Sequence, residues 1–174
     1  MVRYRRNFLP GGTFFFTLTL RDRTCQFLVE HIDALRDAVR ETKSQRPFEI
    51  DAMVVLPDHL HMVITLPDGD TDYSGRIRMM KGRFTRAVVA DGIASIRNAR
   101  GEYDLWQRRF WEHTIRDEID MERHVDYVHF NPVKHGYVSR ATDWPHSSIH
   151  RFIKAGSMAT DWGAQFDDQL SFGE

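Results

Sequence analysis

Two apolar runs of strand length, Phe48 to Leu56 and His59 to Leu66, stand end to end with only Pro57-Asp58 between them. A link that short gives two strands one way to pair, antiparallel as a hairpin. A third run, Thr13-Phe14-Phe15-Phe16-Thr17-Leu18-Thr19-Leu20, is β-branched, aromatic and partly alternating, so it reads as a strand after the turn signal Pro10-Gly11-Gly12. From Val29 to about Gln45 the apolar positions Ile32, Leu35, Ala38 and Val39 recur at spacings of three and four, which predicts an amphipathic helix ended by Pro47.

Arg76 to Val89 repeats the helical pattern through Ile77, Met80, Phe84 and Val88. Residues 91–104 read as a polar connector, Phe110 to Arg116 as a strand, and Ile119 to Phe130 as a helix stopped by Pro132 and Gly136. The resulting order, β-α-β-β-α-β-α, is that of an α+β fold, ferredoxin-like or RRM-like, in which helices lie on one face of an antiparallel sheet. We expect one domain over residues 1–140 and a polar tail over 141–174, with Trp144-Pro145-His146-Ser147-Ser148 as its one compact cluster.

At 174 residues the chain has room for one core, not several. Its 24 basic and 25 acidic side chains nearly cancel, so any polyanion site must be a local patch. Only Lys43, Lys81, Lys134 and Lys154 are lysines; the other basic residues are arginines, the better fork for phosphate. A single cysteine, Cys25, excludes an internal disulfide, and Phe14 to Leu20 is far shorter than the roughly 20 residues a membrane span needs. The expectation is a soluble cytoplasmic protein without a membrane partner.

Two features carry chemistry. His59 and His61 lie two apart in a strand, so both imidazoles leave one face while Leu60 and Met62 leave the other, a spacing that suits two ligands of one metal. With nine histidines, composition alone yields on the order of half such a pair per chain, and a pair of hydrogen-bonded histidines on a sheet face is the plain alternative. The second feature is Asp126-Tyr127-Val128-His129-Phe130-Asn131-Pro132, where Tyr127 and Asn131 are i and i+4 and His124 sits a turn earlier. An amide oxygen beside two imidazoles favours Mg²⁺ or Mn²⁺ over zinc, although a helix Tyr is also ordinary core and Asn before Pro an ordinary terminator.

Together these stretches resemble a known family. Leu56-Pro57-Asp58-His59-Leu60-His61-Met62-Val63-Ile64 is similar to the HUH motif, and Asp126 to Val138 to the tyrosine helix of single-tyrosine HUH transposases of the insertion-sequence class. Trp106-Gln107-Arg108-Arg109-Phe110-Trp111-Glu112-His113 and the Trp144 cluster add resemblance to one branch, the REP-associated tyrosine transposases. The likeness runs from about Tyr4 to Ile153.

It implies the HUH endonuclease fold, His59, His61 and Asn131 as ligands of Mg²⁺ or Mn²⁺, and Tyr127 as a nucleophile that forms a 5′-phosphotyrosine and frees a 3′-hydroxyl. It also implies a substrate of single-stranded or hairpin DNA at repeated extragenic palindromes, and a monomer or homodimer. Asp58 stands where the family often has Asn, which adds a negative charge near the metal. His124 is a candidate base. Arg3, Arg5, Arg6, Arg76, Arg78, Lys81, Arg83, Arg86, Arg108 and Arg109 are candidates for phosphate contact, and Phe110, Trp111 and Trp144 for base stacking. Two other readings are a non-catalytic nucleic-acid-binding module and a metal-dependent phosphodiesterase in which water attacks.

Overall fold

The computed structural model describes residues 7–92 and 103–163. Its elements are β1 (Thr13–Thr19), α1 (Phe27–Glu30), α2 (Ile32–Gln45), β2 (Glu49–Val55), β3 (His59–Thr65), α3 (Tyr73–Ala90), β4 (Trp111–Thr114), α4 (Glu118–Lys134), a 3₁₀ turn (Ala141–Asp143) and α5 (Ile149–Lys154). The sheet order is β2-β3-β1-β4 and each neighbouring pair is antiparallel, the expected ferredoxin-like arrangement. Leu56 N–H donates to the His59 carbonyl at 2.9 Å and closes the β2–β3 hairpin over Pro57-Asp58.

Helices cover both faces of the sheet, not one. Phe14, Phe16, Leu60, Met62 and Ile64 pack with Leu35 and Val39 of α2 and with Ile77, Met80 and Phe84 of α3. On the opposite face Phe15, Ala52, Val54 and Val63 pack with Tyr127 and Val128 of α4. The reason lies in the consecutive phenylalanines of β1 and in β3, buried at every position but its last. A strand apolar on both sides must be covered on both sides, each buried Phe contributing about 1.5–3 kcal/mol. The histidines of β3 therefore face α4, and the α2–α3 layer lies behind them.

Three further expectations are corrected. The helix from Val29 breaks at His31, whose φ of −112° and ψ of 38° separate α1 from α2. Pro132 does not stop α4, which continues to Lys134. Its true end is Gly136, at φ 71°, with Gly136 N–H donating to the Val133 carbonyl and Tyr137 N–H to the Pro132 carbonyl, a Schellman closure that only a residue at ease with positive φ allows. The third concerns Arg76, which is 3% exposed. Its guanidinium donates to the Arg46, Pro47 and Asp72 carbonyls and to the Asp70 carboxylate, so it ties the start of α3 to the α2–β2 turn and cannot contact phosphate.

The chain from His146 to Ser148 lies along the outer edge of β2. Val55 N–H donates to the His146 carbonyl at 2.9 Å, Ser148 N–H to the Met53 carbonyl at 2.8 Å, and Met53 N–H to Ser148 Oγ at 2.8 Å. Trp144 Nε1 donates to the Val55 carbonyl. The Trp144 cluster thus seals a sheet edge, and packing continues without a break across residue 140 to α5.

Candidate active site

His61 pairs across the sheet with Thr17, and its Nδ1 meets Thr17 Oγ1 at 2.9 Å. His59 Nδ1 meets Asp58 Oδ1 at 2.8 Å, and Arg23 holds the other oxygen of that carboxylate. A carboxylate can only accept, so His59 carries its proton on Nδ1 and its lone pair on Nε2. Asp58 accordingly orients His59 in the way outer carboxylates orient metal-binding imidazoles, and Arg23 offsets its charge. Burial alone would raise the Asp58 carboxyl, but the hydrogen bonds from His59 and Arg23 outweigh it and hold the group below the usual range.

The two rings are 5.0 Å apart between centroids, and the Tyr127 ring lies 5.2 Å from His61. Phe15 stacks on His61 at 5.5 Å and meets Tyr127 edge-on, which fixes both rings against β1. His61 is fully buried, and that burial, followed by the charge that His59, His135 and Lys134 carry when protonated, holds its pKa well below 6.5. A neutral imidazole is the state that binds metal. One turn beyond Tyr127, Asn131 is 0% exposed, and neither amide atom makes a hydrogen bond of ordinary geometry, although the amide lies near enough to His61 to favour its protonated form. Two imidazoles and a buried amide oxygen form a donor set that fits a hard divalent cation.

The last residue of α4 and the one that follows it add two groups that sequence reasoning did not assign. Lys134 Nζ is 3.5 Å from the Tyr127 hydroxyl and 4.8 Å over its ring, and the His135 ring is 5.1 Å from His59. Their signal was present in the tyrosine stretch, since i+7 and i+8 from Tyr127 return to its face.

His124, the candidate base, lies one turn before Tyr127 on α4 and is buried. Its Nδ1 contacts the Asp120 carbonyl at 2.7 Å, and its ring stacks on His113 at 4.5 Å and 15°. His113, Asp120 and His124 bring one donor atom each within 4.8 Å, close enough for a metal ion. An imidazole-bound ion lies in the ring plane, however, and two nearly parallel planes do not meet at one point, so one ring would have to turn. The trio joins β4 to α4 through His113 Nε2 and Asp120 at 2.8 Å. Cys25 donates to the Asp22 carbonyl, and burial pushes its thiol up, away from nucleophilic use.

The candidate phosphate contacts divide. Arg78, Lys81 and Arg108 line one cleft of about 380 Å³ beside Phe110. Lys81 donates to the Gln107 carbonyl, and burial lowers its pKa to about 8. Arg83 pairs with Glu41 at 3.0 Å, while Arg86 and Arg109 are exposed. Arg3, Arg5 and Arg6 lie outside the described residues. Phe110 packs on Phe16, and Trp144 is committed to β2; Trp111, 37% exposed, stacks on His113.

The family model described as "Transposase IS200 like" matches residues 13–131, from the first strand through the tyrosine and asparagine of α4, and the chain belongs to that family. A REP-associated tyrosine transposase of Escherichia coli is 45% identical over 174 residues, which is 100% of this chain and 98% of that protein. A relative in Haemophilus influenzae is also 45% identical, over 169 residues and 96% of either chain. A solved structure of a REP-associated tyrosine transposase bound to a REP hairpin superposes with a TM-score of 0.87 at 44% identity, covering 99% of this chain and 96% of that one. Within the IS200-like transposases, this chain is therefore one of the REP-associated tyrosine group, with its HUH fold. No helix among the described residues is long and apolar enough to cross a membrane.

Proposed function

We propose that this transposase is a metal-dependent single-strand DNA endonuclease and strand transferase that cuts and rejoins DNA beside REP-type hairpins through a 5′-phosphotyrosine. The observation that carries the reading is the Tyr127 ring 5.2 Å from His61, on the same side of the sheet as His59 and Asn131. His59, His61 and Asn131 would hold Mg²⁺ or Mn²⁺, which supplies positive charge to neutralise the scissile phosphate. Tyr127 is the nucleophile: its oxygen bonds to phosphorus as the bond to the 3′-oxygen breaks. One phosphoester replaces another of similar energy, so the exchange needs no ATP and runs in both directions.

Phe15, Thr17 and Asp58 hold the rings in place, so that the phosphate meets a preorganised site. The imidazoles and the tyrosine belong to one chain, which supports a site complete in a monomer, whether or not a homodimer forms. Hairpin DNA is the partner of the solved relative, and the same partner is proposed here, contacted through Arg78, Lys81 and Arg108 and with further help from Arg86 and Arg109. The setting is the bacterial cytoplasm.

The test is a denaturing gel after incubation with Mn²⁺ and a hairpin oligonucleotide labelled at its 3′ end, because the phosphotyrosine retains the 3′ fragment. The expected result is a protein–DNA adduct with the wild type and none with Tyr127→Phe. Cut DNA without an adduct would mean that water attacks, and uncut but bound DNA would mean a binding module.

A further inference from the structure

A cation beside the Tyr127 oxygen comes from its own helix. Tyr127, Asn131 and Lys134 follow at i, i+4 and i+7 on α4 and so share a face. Helical side chains lean toward the N-terminus, which carries the lysine stem back over the ring two turns earlier. The ammonium reaches 3.5 Å from the phenol oxygen, and the tyrosine beneath it is 1% exposed.

We infer that Lys134 is a catalytic residue of this site, its ammonium stabilising the negative charge that grows on the Tyr127 oxygen during cleavage and that the same oxygen carries off during rejoining. The inference rests on the reading of Tyr127 as nucleophile. A phenol is mostly protonated at neutral pH and is a weak nucleophile until its oxygen gains anionic character, which a neighbouring positive charge favours. In the step itself the phenol O–H bond breaks and its proton passes to water, the O–P bond forms, and the P–O3′ bond breaks with its electron pair on the 3′-oxygen, which takes a proton from water. Attack in line places the departing oxygen across phosphorus from the attacking one. A cation beside the phenol therefore serves the nucleophile and not the leaving group.

The experiment measures single-turnover adduct formation by the full-length protein on a 3′-labelled REP hairpin oligonucleotide with Mn²⁺. Lys134→Met should slow the rate about 100-fold, the scale of losing one charge-stabilising donor, and Lys134→Arg should restore most of it. Lys134 is an exposed side chain, so an unchanged melting temperature for Lys134→Met verifies the fold.

A second oligonucleotide carries sulfur in place of the departing 3′-oxygen, a leaving group that needs no proton. The Lys134→Met deficit should persist on it, and rejoining should slow by the same factor, leaving the equilibrium fraction of adduct unchanged. A rate within about fivefold of wild type, the most an exposed charge is worth, would overturn the role, as would full recovery on the sulfur substrate. No adduct from the wild type on hairpins with randomised flanks would instead overturn the reading of Tyr127.

Discussion

Replacing Arg76 with methionine separates a structural arginine from a phosphate-binding one. The side chain is 3% exposed, and methionine keeps most of its stem while removing every donor. Lost are bonds of 3.3 Å to the Arg46 carbonyl, 3.2 and 2.7 Å to Pro47, 2.9 Å to Asp72 and 2.6 Å to the Asp70 carboxylate. Three carbonyls each lose a donor, at about 1 kcal/mol apiece, and a largely buried ion pair is broken; together these give about 3–5 kcal/mol. For a chain of this size that lowers Tm by about 6–20 °C, and the urea midpoint should fall with m unchanged.

The same contact has a pH signature. Asp70 is held below the usual carboxylate range first by the Arg76 hydrogen bond and then by the Asp72 backbone N–H. A depressed carboxylate adds stability above its unfolded pKa and loses it as pH falls through the folded one, so the variant should lose less stability on acidification below about pH 4. If Arg76→Met instead changed stability by less than about 0.5 kcal/mol and reduced the salt slope of DNA binding by about 0.7–0.9, Arg76 would be a phosphate contact and the structural reasoning would fail.

Removing the Asp58 carboxylate in Asp58→Ala should weaken Mn²⁺ binding about 10–100-fold in titration calorimetry, because His59 loses the partner that fixes its tautomer; unchanged affinity would refute that role. Half-buried Asp126 has its pKa raised to about 6, by burial first and by Glu122 second. A raised carboxylate favours the protonated fold, so stability falls as pH climbs from about 4 to about 6. Asp126→Asn should therefore add about 1 kcal/mol at pH 7, after allowance for solvent screening, and almost nothing at pH 4; equal urea midpoint shifts at the two pH values would contradict it.

The two-residue alternation of His59 and His61 was legible in the sequence because strand geometry leaves it no freedom, and Tyr127 and Asn131 were legible as helix neighbours. That strand and helix face one another was not legible from spacing. Which helix covers the Phe15 face, opposite Phe14 and Phe16, is settled by long-range packing and not by the run of three aromatics. Arg76 looked like its neighbours Arg78 and Arg86 because charge patterning does not reveal which position turns toward a helix–strand corner full of carbonyls. Pro132 misled because a proline near a helix end forfeits only one bond, while the left-handed residue that closes the helix comes four positions later. Thr17, which meets His61, and Arg23, which holds the Asp58 carboxylate, are remote in sequence and emerge only from register and loop packing.

The seam between residues 146–148 and β2 dictates where the chain can be shortened. A fragment ending at residue 140 would strip the Met53 and Val55 amides of their acceptors and bare a sheet margin able to adhere to other copies. A soluble minimal fragment must therefore retain the chain at least to Lys154, even though the imidazoles, the tyrosine and the asparagine all precede residue 132.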